Sequence, residues 1–453
     1  MSNFDNYQIS NNFKIQGFWG TSLKQALDEK KSIAGSLFYE DGKSRLELFG
    51  SLQDIDFYGQ IRSSKKISIF GISFDGLIIK SSNCFQSGST NYIPGYKIQR
   101  FELLDFSVFR NVSNLSNCFL TEKTLSIDLL YLENWLGVRN RRSISTDKNT
   151  GDELITYQQF FEEQIGRYTV AGIKTNLSIV TYTSERTRIS SFEIGFSHRF
   201  KFKMLDISKE FSNKYSIVLA YSLSKLLTLL IHKRSYPISI NESYRKKGRF
   251  NAKRNIISER SGHFKIKSGN NSVPLFSLKE LGLSKFKDIC DIWFDDTNKI
   301  NKLINNYLMQ GDYETPVSVS LVNLVSGIEI YYSEEIYGNQ KNNVQAVQKS
   351  RKKNDSPLEA ATKIYKLIDS LPKKLTNKMF ASDQGKIDFA RLIINNRVHL
   401  VHGNDNREDL LPEAELWEPY HQLEVLVYAF IIQKLTISED LIYRKLLKLF
   451  TLK

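Results

Sequence analysis

The apolar residues of this chain keep two different periods, and that change limits the possible folds more than any other feature. Up to about residue 205 they recur in short alternating runs. Leu46, Leu48 and Gly50 follow an Asp41-Gly42 pair, and comparable runs cover Ile67 to Gly71, Leu77 to Ile79, Leu177 to Tyr182 and Phe192 to Phe196. Alternation with period two turns successive side chains to opposite faces of a strand. Asp-Gly supplies the positive φ angles that a two-residue hairpin needs, and Asp75-Gly76 repeats the signal. Residues 1–205 therefore read as a β-rich amino-terminal domain.

From about residue 209 the period lengthens. Ile217, Tyr221, Ser224 and Thr228 share a stripe with Leu227 and Ile231 beside it, over a stretch without Gly or Pro, which reads as a buried helix. Residues 206–310 are expected to be a mixed or helical connecting region. They contain a basic cluster, Arg245, Lys246, Lys247 and Arg249 followed by Lys253 and Arg254, with no acid until Glu259. A cluster of this kind is either a solvated loop or a contact for RNA.

Residues 311–453 read as four helices. The first runs from Val317 to about Tyr337 and aligns Leu321, Leu324, Ile328 and Tyr331 on one face, with Glu329 among them. A basic linker, Lys349 to Asn354, precedes the second, where Ser356 suits an N-cap and Pro357 the first turn. That helix continues through Ala361, Ile364 and Leu367 until Pro372. The third covers about Lys386 to His402 and stops at Gly403-Asn404. The fourth starts near Trp417, after Pro412, and carries apolar residues to about Leu435. Short connections between antiparallel helices make a four-helix bundle, so the class expected is α+β.

Lys and Arg number 63 against 49 Asp and Glu, a net charge of +14, which attracts polyanions. Cys84, Cys118 and Cys290 are far apart in sequence, so neither a disulfide framework nor a thiolate zinc site is expected, and a reducing cytoplasm fits. The first residues lack a basic stretch followed by an apolar one. The longest apolar run, Val425 to Ile432, falls well short of the roughly 20 residues that span a bilayer. The expectation is a cytoplasmic protein without a membrane span.

The chemistry concentrates at the close of the third bundle helix, which reads Asn395-Asn396-Arg397-Val398-His399-Leu400-Val401-His402. Cleaving RNA without a metal takes a base for the 2′-hydroxyl proton, an acid for the leaving oxygen and a cation for the developing phosphorane charge. Histidine, with a reference pKa of about 6.5, serves as base or acid near neutrality. Arginine stays charged and grips phosphate oxygens with a fork of donors. Five residues of ideal helix separate Arg397 from His402 by about 7.5 Å of rise and about 140° of rotation. One protomer presents that pair awkwardly, whereas a two-fold contact brings two Arg and two His together, so activity is expected to require self-association.

Here the residues resemble a known family. R-x-x-x-x-H late in the third helix of a four-helix bundle is similar to the HEPN superfamily, with Arg397 and His402 on the motif positions. Leu324 to Tyr332, which includes Glu329, resembles the first helix of ApeA-like HEPN domains. The series Gly17-Phe18-Trp19, Ala34-Gly35-Ser36-Leu37, Leu46 to Gly50, Ile69-Phe70-Gly71 and Phe74-Asp75-Gly76 is similar to the ApeA amino-terminal domain. The resemblance implies an antiphage defence protein acting by abortive infection, whose amino-terminal domain senses a phage-derived trigger. Its HEPN domain would then cut cellular RNA, transfer RNA among it, without a metal or other cofactor, and leave a 2′,3′-cyclic phosphate.

Val398 departs from the pattern, because polar residues often follow the motif Arg in HEPN nucleases. It keeps open a degenerate bundle that binds RNA or a protein partner and only dimerises. Asn396 and His399 are the residues expected to orient substrate or support the pair, and Glu329 is either a partner for Arg397 or an exposed helix charge. Arg397 and His402 also admit a purely structural reading, as caps of helix carbonyls at a dimer contact. A zinc site on His399, His402 and His421 is set aside, since the spacing is not that of a known zinc motif. Trp19, Trp135, Trp293 and Trp417 read as core.

Overall fold

Burial alternates along the first strand as the pattern demands: Ile15, Gly17 and Trp19 turn inward, Lys14, Gln16 and Phe18 outward. This computed structural model describes residues 4–52, 66–92, 95–110, 122–137, 142–146, 153–157, 160–170, 172–188, 191–205, 212–246, 249–259, 273–295, 297–309, 315–339, 357–403 and 409–451. Cys118, Lys247, His263, the linker Lys349 to Asn354, Ser356 and Asn404 lie outside the described residues. The chain divides into two units, Met1–Lys279 and Glu280–Lys453.

The first unit opens with a barrel. Its strands are β1 (Phe13–Gly20), β2 (Ile33–Glu40), β3 (Lys43–Phe49), β4 (Ile67–Ser73), β5 (Ile78–Asn91) and β6 (Lys97–Leu103), and all their pairings are antiparallel. They follow the order β4-β1-β2-β3-β6, and the long β5 pairs with both β4 and β6 to close the ring. Asp41 and Gly42, at φ 51° and 82°, form the hairpin turn between β2 and β3. Trp19 is fully buried inside. A Cβ on Gly71 would lie 2.4 Å from its Cζ3, and one on Gly35 would lie 3.1 Å from its Cδ1. The recurring glycines of this region thus make room for one indole.

Seven more strands extend the sheet from β5: β7 (Asp105–Arg110), β8 (Glu122–Leu129), β11 (Phe160–Val170), β12 (Ile173–Arg188), β13 (Ser191–Met204), β14 (Pro237–Lys246) and β15 (Arg249–Ser258). Their order is β11-β12-β13-β8-β14-β15-β7, while β9 (Arg142–Thr146) and β10 (Glu153–Tyr157) pair with each other. Two short helices, α1 (Leu23–Leu27) and α2 (Leu132–Leu136), precede α3 (Asn213–Ile231), which packs on β7, β8, β14 and β15. By length and composition α3 is apolar enough to cross a membrane, but its window is 67% buried within the protein, the mark of a core helix. Its deep face is Leu219, Leu223, Leu226 and Leu230; Ser224, Leu227, Thr228 and Ile231 of the expected stripe are buried too, while Ile217 and Tyr221 are half-buried.

Glu242 pins α3 to the sheet. Its buried carboxylate accepts from Ser216 Oγ at 3.1 Å, Tyr244 Oη at 2.6 Å and Arg254 at 2.5 Å. The basic cluster is therefore not a solvated loop. Arg245 and Lys246 end β14, Arg249 begins β15, and strand alternation sends Arg254 inward to Glu242 while Lys253 stays exposed.

The stretch 206–310 is not a connecting module either. Its first part completes the large sheet, and its last part, α4 (Leu283–Trp293) and α5 (Ile300–Met309), belongs to the second unit. That unit continues with α6 (Val317–Asn339), α7 (Pro357–Asp369), α8 (Lys373–Met379), α9 (Asp383–His402), α10 (Trp417–Lys434) and α11 (Glu439–Thr451). Leu321, Leu324, Ile328 and Tyr331 face the core from α6, and Val425 to Ile432 are buried on every side of α10. Around the four expected helices stand α4, α5, α8 and α11, of which α4, α5 and α11 each carry a marked apolar stripe that the four-helix reading does not set apart.

The Trp19 packing makes a prediction. Gly71→Ala is expected to destabilise the protein by about 1–3 kcal/mol through overpacking, and adding Trp19→Phe should restore part of the loss. Thermal melts of the two variants beside the unchanged chain check both outcomes.

Candidate functional site

Helix α9 carries the site because both its ends are well defined. Ser382 caps the start by accepting from Gly385 N, and Gly403 closes the end at φ 61°, ψ 31°, its N–H donating to His399 O at 2.8 Å. His402 is thus the last helical residue, and it is exposed. The helix packs against α7 and α6 through Phe389, Ala390, Ile393 and Ile394.

Arg397 and Glu329 meet across the α9–α6 contact, with the guanidinium donating to Glu329 Oε2 at 3.1 Å. Both side chains are about a quarter exposed or less, at 21% and 26%. The pair holds the arginine in place without sealing it from solvent. Arg397 Nε is buried and meets no acceptor among the described residues. A buried donor left unpaired costs about 1–3 kcal/mol, so a group that supplies the missing acceptor is favoured there.

Asn396 has a different job from the one expected of it. It is almost fully buried, and its amide donates to Leu392 O at 2.9 Å and Asp409 O at 3.0 Å while accepting from Leu411 N at 2.8 Å. Both donors are spent on backbone, so Asn396 ties the segment after His402 to the helix instead of reaching substrate. His399 is half-buried beside it. Val398, also half-buried, adds no polar group.

Three ties gather the start of α6 and the start of α10 at the same end as His402. Asn396 holds Asp409 and Leu411, Ser318 Oγ donates to Glu413 at 2.9 Å, and Tyr420 is hydrogen-bonded to Ser320. Burial, with the Glu424 carboxylate nearby, pushes the Tyr420 hydroxyl well above its ordinary range, so it remains protonated. His421 stands 3.2 Å from Glu424 through Nδ1, and its ring lies nearly parallel to that of Trp417. Trp417 is 49% exposed, whereas Trp19, Trp135 and Trp293 are buried, so the core reading fails for this one residue. Val319, Leu400 and Val401 are also exposed at this end and give it an apolar rim. Helix periodicity could not flag Trp417, because the first turn of a helix lacks a preceding turn to cover it.

The basic residues expected to meet RNA belong to the other unit. Lys253 is exposed, Arg254 is turned inward, and Arg245, Lys246 and Arg249 occupy the tip of the β14–β15 hairpin.

Comparison with known families gives two matches. Residues 14–291 match the ApeA N-terminal domain 1, and residues 322–441 match the Apea-like HEPN domain. No curated protein and no solved structure matches the chain. The second match contains Glu329, Arg397 and His402.

The Asn396 tie predicts that Asn396→Ala destabilises the second unit by about 1–3 kcal/mol, since it leaves buried backbone groups unpaired. Hydrogen exchange should show faster exchange at the Leu411 amide than at amides in the middle of α10.

Proposed function

Because the chain belongs to the ApeA family, with an ApeA N-terminal domain followed by an Apea-like HEPN domain, we propose that it is an antiphage defence protein whose bundle is a metal-independent endoribonuclease. The observation that carries this reading is the partly exposed Arg397, held by Glu329, on the same helix that ends in the exposed His402.

In this reading Arg397 binds the scissile phosphate through the exposed part of its guanidinium, which Glu329 holds in place. One histidine takes the proton from the ribose 2′-hydroxyl, which attacks the adjacent phosphorus. A second protonates the departing 5′-oxygen, and the product is a 2′,3′-cyclic phosphate. The two imidazoles come from two copies of the chain. The exposed apolar rim of Leu400, Val401, Val319 and Trp417 beside His402 supports an isologous contact of that kind. Glu329 positions Arg397 and does not touch the reacting atoms. The cellular role is abortive infection, in which the amino-terminal unit responds to a phage-derived trigger and the bundle then cleaves host RNA, with transfer RNA as the substrate class. The rival reading, a bundle that binds RNA or a protein and only dimerises, draws on Val398.

Incubating purified protein with total RNA in EDTA distinguishes the two. The expected result is cleavage with cyclic phosphate ends, reduced by about 10²-fold or more in His402→Ala while that variant melts normally. Undiminished cleavage in a folded His402→Ala would sink the assignment. Glu329→Gln is expected to slow turnover by roughly 10- to 100-fold, the scale typical of an orienting partner, with little change in the mass of the dimer by light scattering.

A further inference from the structure

The net charge is not shared between the two units. Residues 1–279 hold 40 Lys and Arg against 25 Asp and Glu, whereas residues 280–453 hold 23 against 24. Within the first unit the excess concentrates in residues 201–279, with 17 basic residues against 4 acidic ones. The bundle that carries the candidate site is therefore close to neutral, and the attraction for a polyanion resides in the sheet-bearing unit.

Strand register places part of this charge in one line. Directly paired residues share a face of the sheet. Arg167 of β11 pairs with Asn176 of β12, which pairs with Lys203 of β13, and Lys203 pairs with Thr124 of β8. Thr124 pairs with Ser243 of β14, Ser243 with Lys253 of β15, and Lys253 with Arg110 of β7. The row crosses all seven strands with four cations and three small neutral polar residues, and contains no acid. Arg167, Lys203, Lys253 and Arg110 are exposed, and Asn176, Thr124 and Ser243 are half-buried between them.

At about 4.8 Å per strand the row spans about 29 Å, the length of several successive phosphates along one strand. The next row on the same face, Gln164, Ser178, Lys201, Ser126 and Asn241, keeps this chemistry. Its Lys201 is paired with Glu162 at 2.8 Å. Short polar side chains let a sugar–phosphate backbone approach the sheet, while the cations reach its oxygens.

We propose that this row of the seven-stranded sheet is a docking surface for an RNA backbone, reading phosphate spacing and not base sequence. The surface differs from the candidate nuclease site, and its test reads binding alone, so its failure leaves the nuclease reading standing.

The experiment titrates full-length His402→Ala protein into fluorescein-labelled oligonucleotides of about 20 nucleotides, as RNA, single-stranded DNA and duplex DNA, and follows anisotropy at several salt concentrations. The expected result is binding that weakens about tenfold or more when Arg110, Lys203 and Lys253 are all changed to Gln. The slope of log affinity against log salt should become shallower by about 2 to 3. Lys14→Gln with Arg45→Gln on the barrel wall should change neither quantity. RNA, the substrate class of the proposed nuclease, is expected to bind tightest, and tighter binding of either DNA overturns the proposal. Should the triple variant melt early, Lys203→Gln and Lys253→Gln measured singly should each show a smaller loss of the same sign. The proposal falls if no oligonucleotide binds, if the row variants bind like the parent, or if the barrel-wall variant loses as much. It also falls if a polyglutamate peptide binds while nucleic acid does not, since that marks an acidic protein as the partner.

Discussion

A guanidinium set into a helical bundle has to find its countercharge inside the bundle, and the Arg397–Glu329 pair meets that requirement. Without Glu329 the arginine would be partly buried with no anion, a state that costs several kcal/mol. With it, the cation remains charged and aimed while keeping other donors unspent. The register between α9 and α6 follows from this contact, because the two side chains meet at one level of the bundle only. His402 then falls at the exposed end of α9, beside the starts of α6 and α10.

The features that could be read from the chain beforehand are those written in local chemistry. Asp41-Gly42 announces its own turn, since few other residues accept two successive positive φ angles. Gly403 announces the end of α9, and the stripe from Leu321 to Tyr331 announces the inner face of α6. Pairings between distant residues were harder. The need for glycine at 71 is hidden until Trp19 is placed against it. Arg254 looks like surface charge until β14 brings Glu242 to it. Asn396 reads as a polar neighbour of Arg397, because nothing local shows that Asp409 and Leu411 are within reach of its amide. In each case the partner is supplied by tertiary structure, and local composition carries no trace of it.

The net charge is divided unevenly between the two units. A near-neutral bundle with an acidic stretch after its site helix, Glu413, Glu415 and Glu418 among it, has little long-range pull on RNA. The sheet of the other unit carries the excess of cations, four of them in one row of paired residues. On the two proposals made above, capture and chemistry fall to different surfaces of one chain. A substrate held by its backbone at the first still has to fit the second.

Asn396 has a consequence for how the protein can vary. By clamping Asp409 and Leu411 to α9, it isolates the helix terminus from whatever length of chain lies between Gly403 and Asp409. Doubling such a span adds only about 0.6 kcal/mol of closure entropy. Insertions there would leave the imidazole where it is, so this short span is where related chains are freest to differ in length without disturbing the reacting groups.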